Sequence, residues 1–393
     1  MATTMATGAL AMVTVAPQLA VAGPVLSSPV QLLSGSSPLQ PVIDQLLDAQ
    51  QQMQTDMSQY PFVSPSDLPM AHEYAQNALS TMLAASVVAF NYLDLKNVAI
   101  PFAPYAWDAP ATNMQQLLVY ANTDDQYTAL PLLPGNTYTM TITPPAGPNG
   151  TSDVTFLFTS GNGVTEPYHS IITYTLNEAT PNPDGGYTLT FSSTPQPGNW
   201  VDIPADAERT IVRDSVGNWG LPHDTFSISQ EGVAPPSPLH PPLLTDAQIE
   251  SLLSPIAANA VNEVNSPDYL GQLTVTNSPA PNTVSDFQPT HTFMPGPLLT
   301  GNNQWLSAGD YSLQPDQALI LKVPEINGAY SAAMVTNIYG QTAPAATATG
   351  SLNAGDTFHD PDGSTYYVIS DKDPGVANWL NDNGAEDGGI WLR

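Results

Sequence analysis

The chain has 393 residues and a formal charge of −29, from 6 Lys and Arg against 35 Asp and Glu. A polyanion of this size is repelled by nucleic acid and by anionic headgroups, so neither is an expected partner, and cations are what its field would gather. Only 10% of residues are charged, Pro reaches 40 and Cys is absent, so the surface is solvated by amides, hydroxyls and backbone, and disulfides, thiolate zinc sites and Cys nucleophiles are excluded.

Residues 1–22 are uncharged and small or apolar, and Ala20-Val21-Ala22 before Gly23-Pro24 fits a small-x-small cleavage site. This predicts a signal peptide cleaved after Ala22, a secreted or cell-envelope location, and no transmembrane segment in the mature chain. No Lys or Arg precedes Lys96, so the usual basic flank is missing, and an Ala-rich leader is the other reading. Residues 23–37 are rich in Ser and Pro and predict a flexible N-terminus. A helical segment is expected over 38–95. Pro38 and Pro41 suit a first turn, and Val42, Ile43, Leu46 and Leu47 share one face. A second helix near Ser66-Asp67 carries Tyr74, Ala78, Leu79, Met82 and Leu83 at three- and four-residue steps, with His72 beside them as a surface or packing residue.

From 96 to 233 the pattern changes to short strands. Thr137 to Thr143 alternates with period two, as do Tyr187 to Phe191 and Thr210 to Val212. Asp184-Gly185-Gly186 before a strand is a hairpin signal, because Gly supplies the positive φ that such turns need. Residues 234–243 are Pro-dense and read as a linker. Beyond them, 244–393 opens on a capping box at Thr245-Asp-Ala-Gln248, with a kink or restart expected at Pro255. Strands resume at Tyr311 to Leu313, Ala318 to Val323, Ala332 to Val335 and Tyr366 to Ile369. The expected fold is mainly β with accessory helices (α+β), built from antiparallel two-sheet, sandwich-like units.

The same signposts occur twice. Asp184, Asn199, Trp200 and Arg213 recur in order as Asp362, Asn378, Trp379 and Arg393, at separations of 178, 179, 179 and 180 residues. The slow drift is what an internal duplication with small loop insertions produces. An Asn in a tight turn can bond its own backbone, and the following Trp is expected to fix that turn to the core. Each Arg is expected to end a strand and to clamp a carboxylate or loop carbonyls with its planar fork.

Asp373-Pro-Gly-Val-Ala-Asn-Trp-Leu380, Ile390-Trp-Leu-Arg393, Gly328-Ala-Tyr330 and Asn337-Ile-Tyr339 make the second half resemble the uncharacterised-domain family numbered 1214. That family is common in actinobacterial and proteobacterial proteins and often paired with the domain numbered 1254. Asp124-Asp-Gln-Tyr127, Pro197-Gly-Asn-Trp200, Ile211-Val-Arg213 and Asn218-Trp219 extend the resemblance to the first half, over about 115–230 and 300–393. The resemblance implies a two-sheet β fold with attached helices; it implies no reaction.

Chemistry-bearing motifs are sparse. The sequence holds no nucleophile elbow, His-Glu-x-x-His, phosphate loop or dinucleotide fingerprint. His169, His223, His291 and His359 are candidates for a site assembled by folding, against a reading as loop histidines. The Asp-rich turns around Asp360, Asp362, Asp371 and Asp373 put hard oxygen ligands in loops, as Ca²⁺ requires, although turn chemistry alone explains Asp, Asn and Gly there. Two function classes result: a secreted or envelope-associated binding or structural module meeting a lipid or glycan, or an extracellular hydrolase acting on an envelope glycan or lipid.

Overall fold

The computed structural model describes residues 38–75, 122–130, 132–145, 153–160, 169–233, 245–266, 270, 273, 280–289, 304–342 and 349–393. Expectations for 1–37, for Ala78 to Leu83, for the Pro-rich linker 234–243 and for His291 lie outside these residues.

Among the described residues, eight strands make the first half: β1 (Asp125–Leu130), β2 (Thr137–Thr143), β3 (Asp153–Ser160), β4 (His169–Thr175), β5 (Tyr187–Ser192), β6 (Trp200–Asp202), β7 (Arg209–Ser215) and β8 (Thr225–Gln230). They form two sheets, ordered β1-β7-β3-β4 and β6-β5-β2-β8. Tyr138, Met140, Phe156, Phe158, Phe191 and Val212 meet between the sheets in one buried cluster. The alternation of β2 has a direct cause: Met140 and Ile142 enter that core while Thr139, Thr141 and Thr143 stay exposed.

The second half has β9 (Thr283–Val284), β10 (Gln288–Pro289), β11 (Trp305–Ser312), β12 (Leu319–Val323), β13 (Ala332–Asn337), β14 (Ser351–Asn353), β15 (Thr365–Ser370), β16 (Trp379–Asn381) and β17 (Asp387–Leu392). One sheet runs β10-β11-β17-β13-β14 with β9 also on β11, and the other runs β12-β15-β16. β11-β17-β13-β14 repeats the order β1-β7-β3-β4, and β16-β15-β12 repeats β6-β5-β2. Among the described residues each half also holds one parallel pair, β5 with β6 and β15 with β16, among its antiparallel ones. Two sandwich-like units therefore have their strands in the same places in the same chain order. Among the described residues, β8 has no counterpart beside β12.

Helices α1 (Gln40–Met57) and α2 (Asp246–Val264) and the helical turns at 68–75 cover the outside of the second unit. Ile43, Met53, Tyr74 and Ile256 share a buried cluster with Leu306, Met334, Tyr339 and Trp391 of the sheet side. Burying each of these large side chains contributes about 1.5–3 kcal/mol. Val42, Ile43 and Leu46 are buried and Leu47 packs at the edge, as their spacing predicts. Thr245 and Gln248 exchange the two bonds of the capping box, Thr245 N to Gln248 Oε1 at 2.9 Å and Gln248 N to Thr245 Oγ1 at 3.3 Å. The helix then runs through Pro255 instead of restarting there. Because helices lie on one side and the partner sheet on the other, β17 is buried on both faces: Ile390 and Leu392 point into the sandwich and Trp391 into the helices.

Candidate functional site

A cluster of buried, perturbed ionisable groups lies where the two units touch. Asp124, just before β1, is 0% exposed. Its Oδ1 accepts hydrogen bonds from the indole Nε1 of Trp219, in the loop after β7, and from Nδ2 of Asn353, the last residue of β14, at 3.2 Å. Its Oδ2 accepts from the Tyr330 hydroxyl, in the loop before β13. Burial pushes the Asp124 carboxyl up to about 6, the three donors pull it back, and neighbouring Asp125 adds to the rise.

Asn122 completes the knot. Its Nδ2 reaches Asp125 Oδ1 at 2.8 Å and the Tyr330 oxygen at 2.8 Å, and its Oδ1 lies 3.1 Å from the same hydroxyl. Strand register sets the next row. Asp125 and Asp153 both stand opposite Ser215 of β7, one on each side, and Ser215 Oγ donates to Asp125 Oδ1 at 2.6 Å. Asp153 is also pushed up to about 6, by burial first and then by Asp125, with Arg213 opposing. Backbone contacts lock the same junction: Gly355 N donates to Gly217 O at 2.9 Å and Trp219 N to Asp356 Oδ2 at 2.8 Å.

The residues singled out from the sequence divide into turn-holders and scattered side chains. Asn199 Nδ2 donates to Thr180 O and Thr188 O while its Oδ1 accepts from Thr180 N. Asn378 does the same with Phe358 O, Tyr366 O and Phe358 N. Asp184 and Asp362 each accept from the backbone N–H two residues on, at 3.0 and 2.9 Å. Trp200 and Trp379 are not core anchors as expected. Val201 and Leu380 enter the cores, so strand alternation turns the tryptophans to the outer face, where each Nε1 ties to the carbonyl of Ser192 or Ser370.

Arg213 is buried inside β7 instead of ending it, because the strand continues to Ser215 and a carboxylate, Asp153, lies close by. Arg393 follows β17, and its backbone exchanges two bonds with Ala332. His223 and Asp224 precede β8 and converge on one partner: His223 Nδ1 is 3.4 Å from Asp214 Oδ2, which accepts from Asp224 N at 2.8 Å. His169 is exposed at the start of β4. His359 contacts Thr365 Oγ1 and Ala354 O. Asp362 also lies 3.8 Å from Lys322 Nζ, Asp373 Oδ1 accepts from Gly375 N, Asp360 closes its turn through Ser364, and Asp371 raises the pKa of nearby Asp382. Among the described residues, no three His, Asp or Glu side chains are grouped to hold a metal ion.

Comparison with known proteins places one segment. A family model described as "Protein of unknown function (DUF1214)" matches residues 115–213, which takes in β1 to Arg213 of β7. The chain is also similar to the crystal structure of an uncharacterised protein from Burkholderia cenocepacia, with a TM-score of 0.68 and 18% identity over 90% of this chain and 91% of that one. At that identity the likeness is one of fold. The VPA0106 protein from Vibrio parahaemolyticus matches with a TM-score of 0.41 and 10% identity, over 81% of this chain and 93% of that one. No curated protein matches the chain.

Asp124, Trp219 and Tyr330 all sit in motifs that carried the sequence resemblance, but their meeting had no signal in spacing. Asn122 and Asn353 carried no signal at all.

Proposed function

We propose that the chain is a secreted or envelope-associated binding module that performs no reaction itself. The observation that carries this reading is the state of Asp124: closed to solvent, with both oxygens engaged by donors from three other segments. A carboxylate so placed joins the two units and meets no substrate. The export part of the reading is supported by the uncharged leader and by Ala20-Val21-Ala22. We further infer that the two units are copies of one 1214-type module; the repeated strand order and the matching bonds of Asn199 and Asn378 support this.

The hydrolase reading has one observation in its favour: Asp124 and Asp153, near 6, have the pKa that a general acid needs. Native mass spectrometry of protein recovered separately from culture medium and from cells decides the main reading. The expected species begins at Gly23 and carries a copurified lipid or glycan. A bare polypeptide retaining Met1 and absent from the medium would sink it.

A further inference from the structure

In the first unit β2 lies between β5 and β8. Its core-facing Tyr138, Met140 and Ile142 are fully buried, and Phe226 and Ile228 of β8 pack against the same cluster. β12 takes the place of β2 in the second unit, and among the described residues no strand flanks it on the side away from β15. Its core-facing Leu319 and Leu321 are accordingly only half-buried. Ile320, on the opposite face, is 66% exposed, the highest value among the described large hydrophobic residues. The first unit thus shows what this position accepts: an antiparallel strand that lays apolar side chains beside the core.

The backbone decides which residues offer hydrogen bonds to such a strand. Val368 N donates to Asn378 O, toward β16, so the N–H and C=O groups of Tyr367 and Ile369 turn the other way, to Leu321 and Leu319 of β12. By the same alternation Ile320 and Lys322 point theirs outward, at the open edge. A second copy of the chain, meeting this edge antiparallel about a two-fold axis, has three registers that match these groups. With Lys322 opposite Lys322 the two ammonium groups repel. With Ile320 opposite Lys322 the lysines become diagonal neighbours, and Pro324, which has no N–H to give, falls opposite Ala318. With Ile320 opposite Ile320 every residue finds a suitable partner. Leu319 then lies beside Leu321 of the second copy, and the row Trp379, Val368, Ile320 continues into its own repeat. The two lysines stand about 14 Å apart, four residues along the ladder. Each faces Ala318 of the second copy, with Asp316 exposed in the turn two residues before it, so each of these basic groups meets a carboxylate.

We propose that two copies of this chain join β12 edge to β12 edge, antiparallel about a two-fold axis at Ile320, so that β16-β15-β12 continues through the second copy as one six-stranded sheet. The pairing is independent of whether the chain binds a ligand or turns one over. Five residues a side make a small interface, and two bodies of net charge −29 repel, so the dimer is weak and exchanges with monomer. The test is sedimentation velocity of the full-length chain from about 1 to about 500 µM, in about 0.3 M salt to screen the repulsion. The average mass should rise from one chain toward two. Ile320→Lys puts like charges face to face at the axis and should weaken association at least about tenfold, with the thermal midpoint at the lowest concentration unchanged because the side chain is exposed in the monomer. Lys322→Glu and Asp316→Lys should each weaken association, and the two together should restore it. A chain that stays single over the whole range overturns the inference, as does a dimer that Ile320→Lys leaves untouched. Absence of recovery in the double variant overturns the axis at Ile320.

Discussion

Asn378 is 5% exposed and satisfies three backbone groups at once: the N–H and C=O of Phe358 and the C=O of Tyr366. Alanine there leaves all three without that partner, and at about 0.5–1.5 kcal/mol net per bond the loss is about 2–4 kcal/mol. Asn199 makes the equivalent three bonds but is half-exposed, so water replaces part of what alanine removes, and about 1–2 kcal/mol is expected. Urea denaturation reads both values as a lower midpoint at constant slope; equal losses at the two sites would contradict the dependence on burial. Trp200 and Trp379 are half-exposed as well, so their replacement by alanine costs less than the about 3–5 kcal/mol typical of a fully buried ring. The Asn-Trp pair was legible in the sequence as a turn device. Which backbone groups it would hold was not, since Phe358 lies 20 residues from Asn378 and no local rule links them.

At the scale of elements, the contact between the units depends on Gly355 having no side chain. A Cβ there would sit 2.2 Å from Gly217 O and 2.8 Å from Asn218 Cβ, so Gly355→Ala forces one loop away from the other. The expected cost is about 1–3 kcal/mol, with loss of the Gly355 N to Gly217 O bond detectable as faster amide exchange at Gly355. An unchanged exchange rate would mean that the junction is looser than its bonds imply. The same elements show where sequence reading succeeds. β2 lies between a core and solvent, so Thr137 to Thr143 alternates and its limits are readable from the residues. β17 is sandwiched between helices and sheet, so Asp387 to Leu392 has no alternation and only its final Ile390-Trp-Leu stood out. β3 is buried along most of its length too, and its apolar run was no more readable. β12 has an open edge among the described residues, and Lys322, one of six basic residues, stands on that strand over the Tyr366 ring; a lysine there opposes pairing with any chain that brings no carboxylate to it.

For the whole molecule the carboxylates set a pH dependence of unusual sign. Asp124, Asp153 and Asp382 are all pushed from 3.8 up to about 6, with burial the first cause in each. A carboxyl with a raised folded pKa binds its proton more tightly in the folded state. Its stabilising contribution is therefore complete below about 4 and is lost as pH rises through about 6. Asp362 is shifted the other way by its turn bonds to Ser364 and opposes this at the acid end. The thermal midpoint should consequently rise as pH falls from 8 to 5, helped by the shrinking net charge. Asp124 offers a way to isolate one group. When protonated it can donate to the Tyr330 oxygen, and the Tyr330 hydroxyl can turn to Asn122 Oδ1, while Asp124 Oδ1 still accepts from Trp219 and Asn353. Asn at this position reproduces that pattern without a charge, its Nδ2 taking the place of the carboxyl O–H. Asp124→Asn should thus gain about 1–3 kcal/mol over the native chain at pH 8, from a shift of about two units at about 1.4 kcal/mol each, about half of that at pH 5, and nothing below about pH 4. A destabilised Asp124→Asn protein at pH 8 would instead mean that the anion is what the Trp219 and Tyr330 donors hold, and that the junction between the units is strongest when Asp124 is charged.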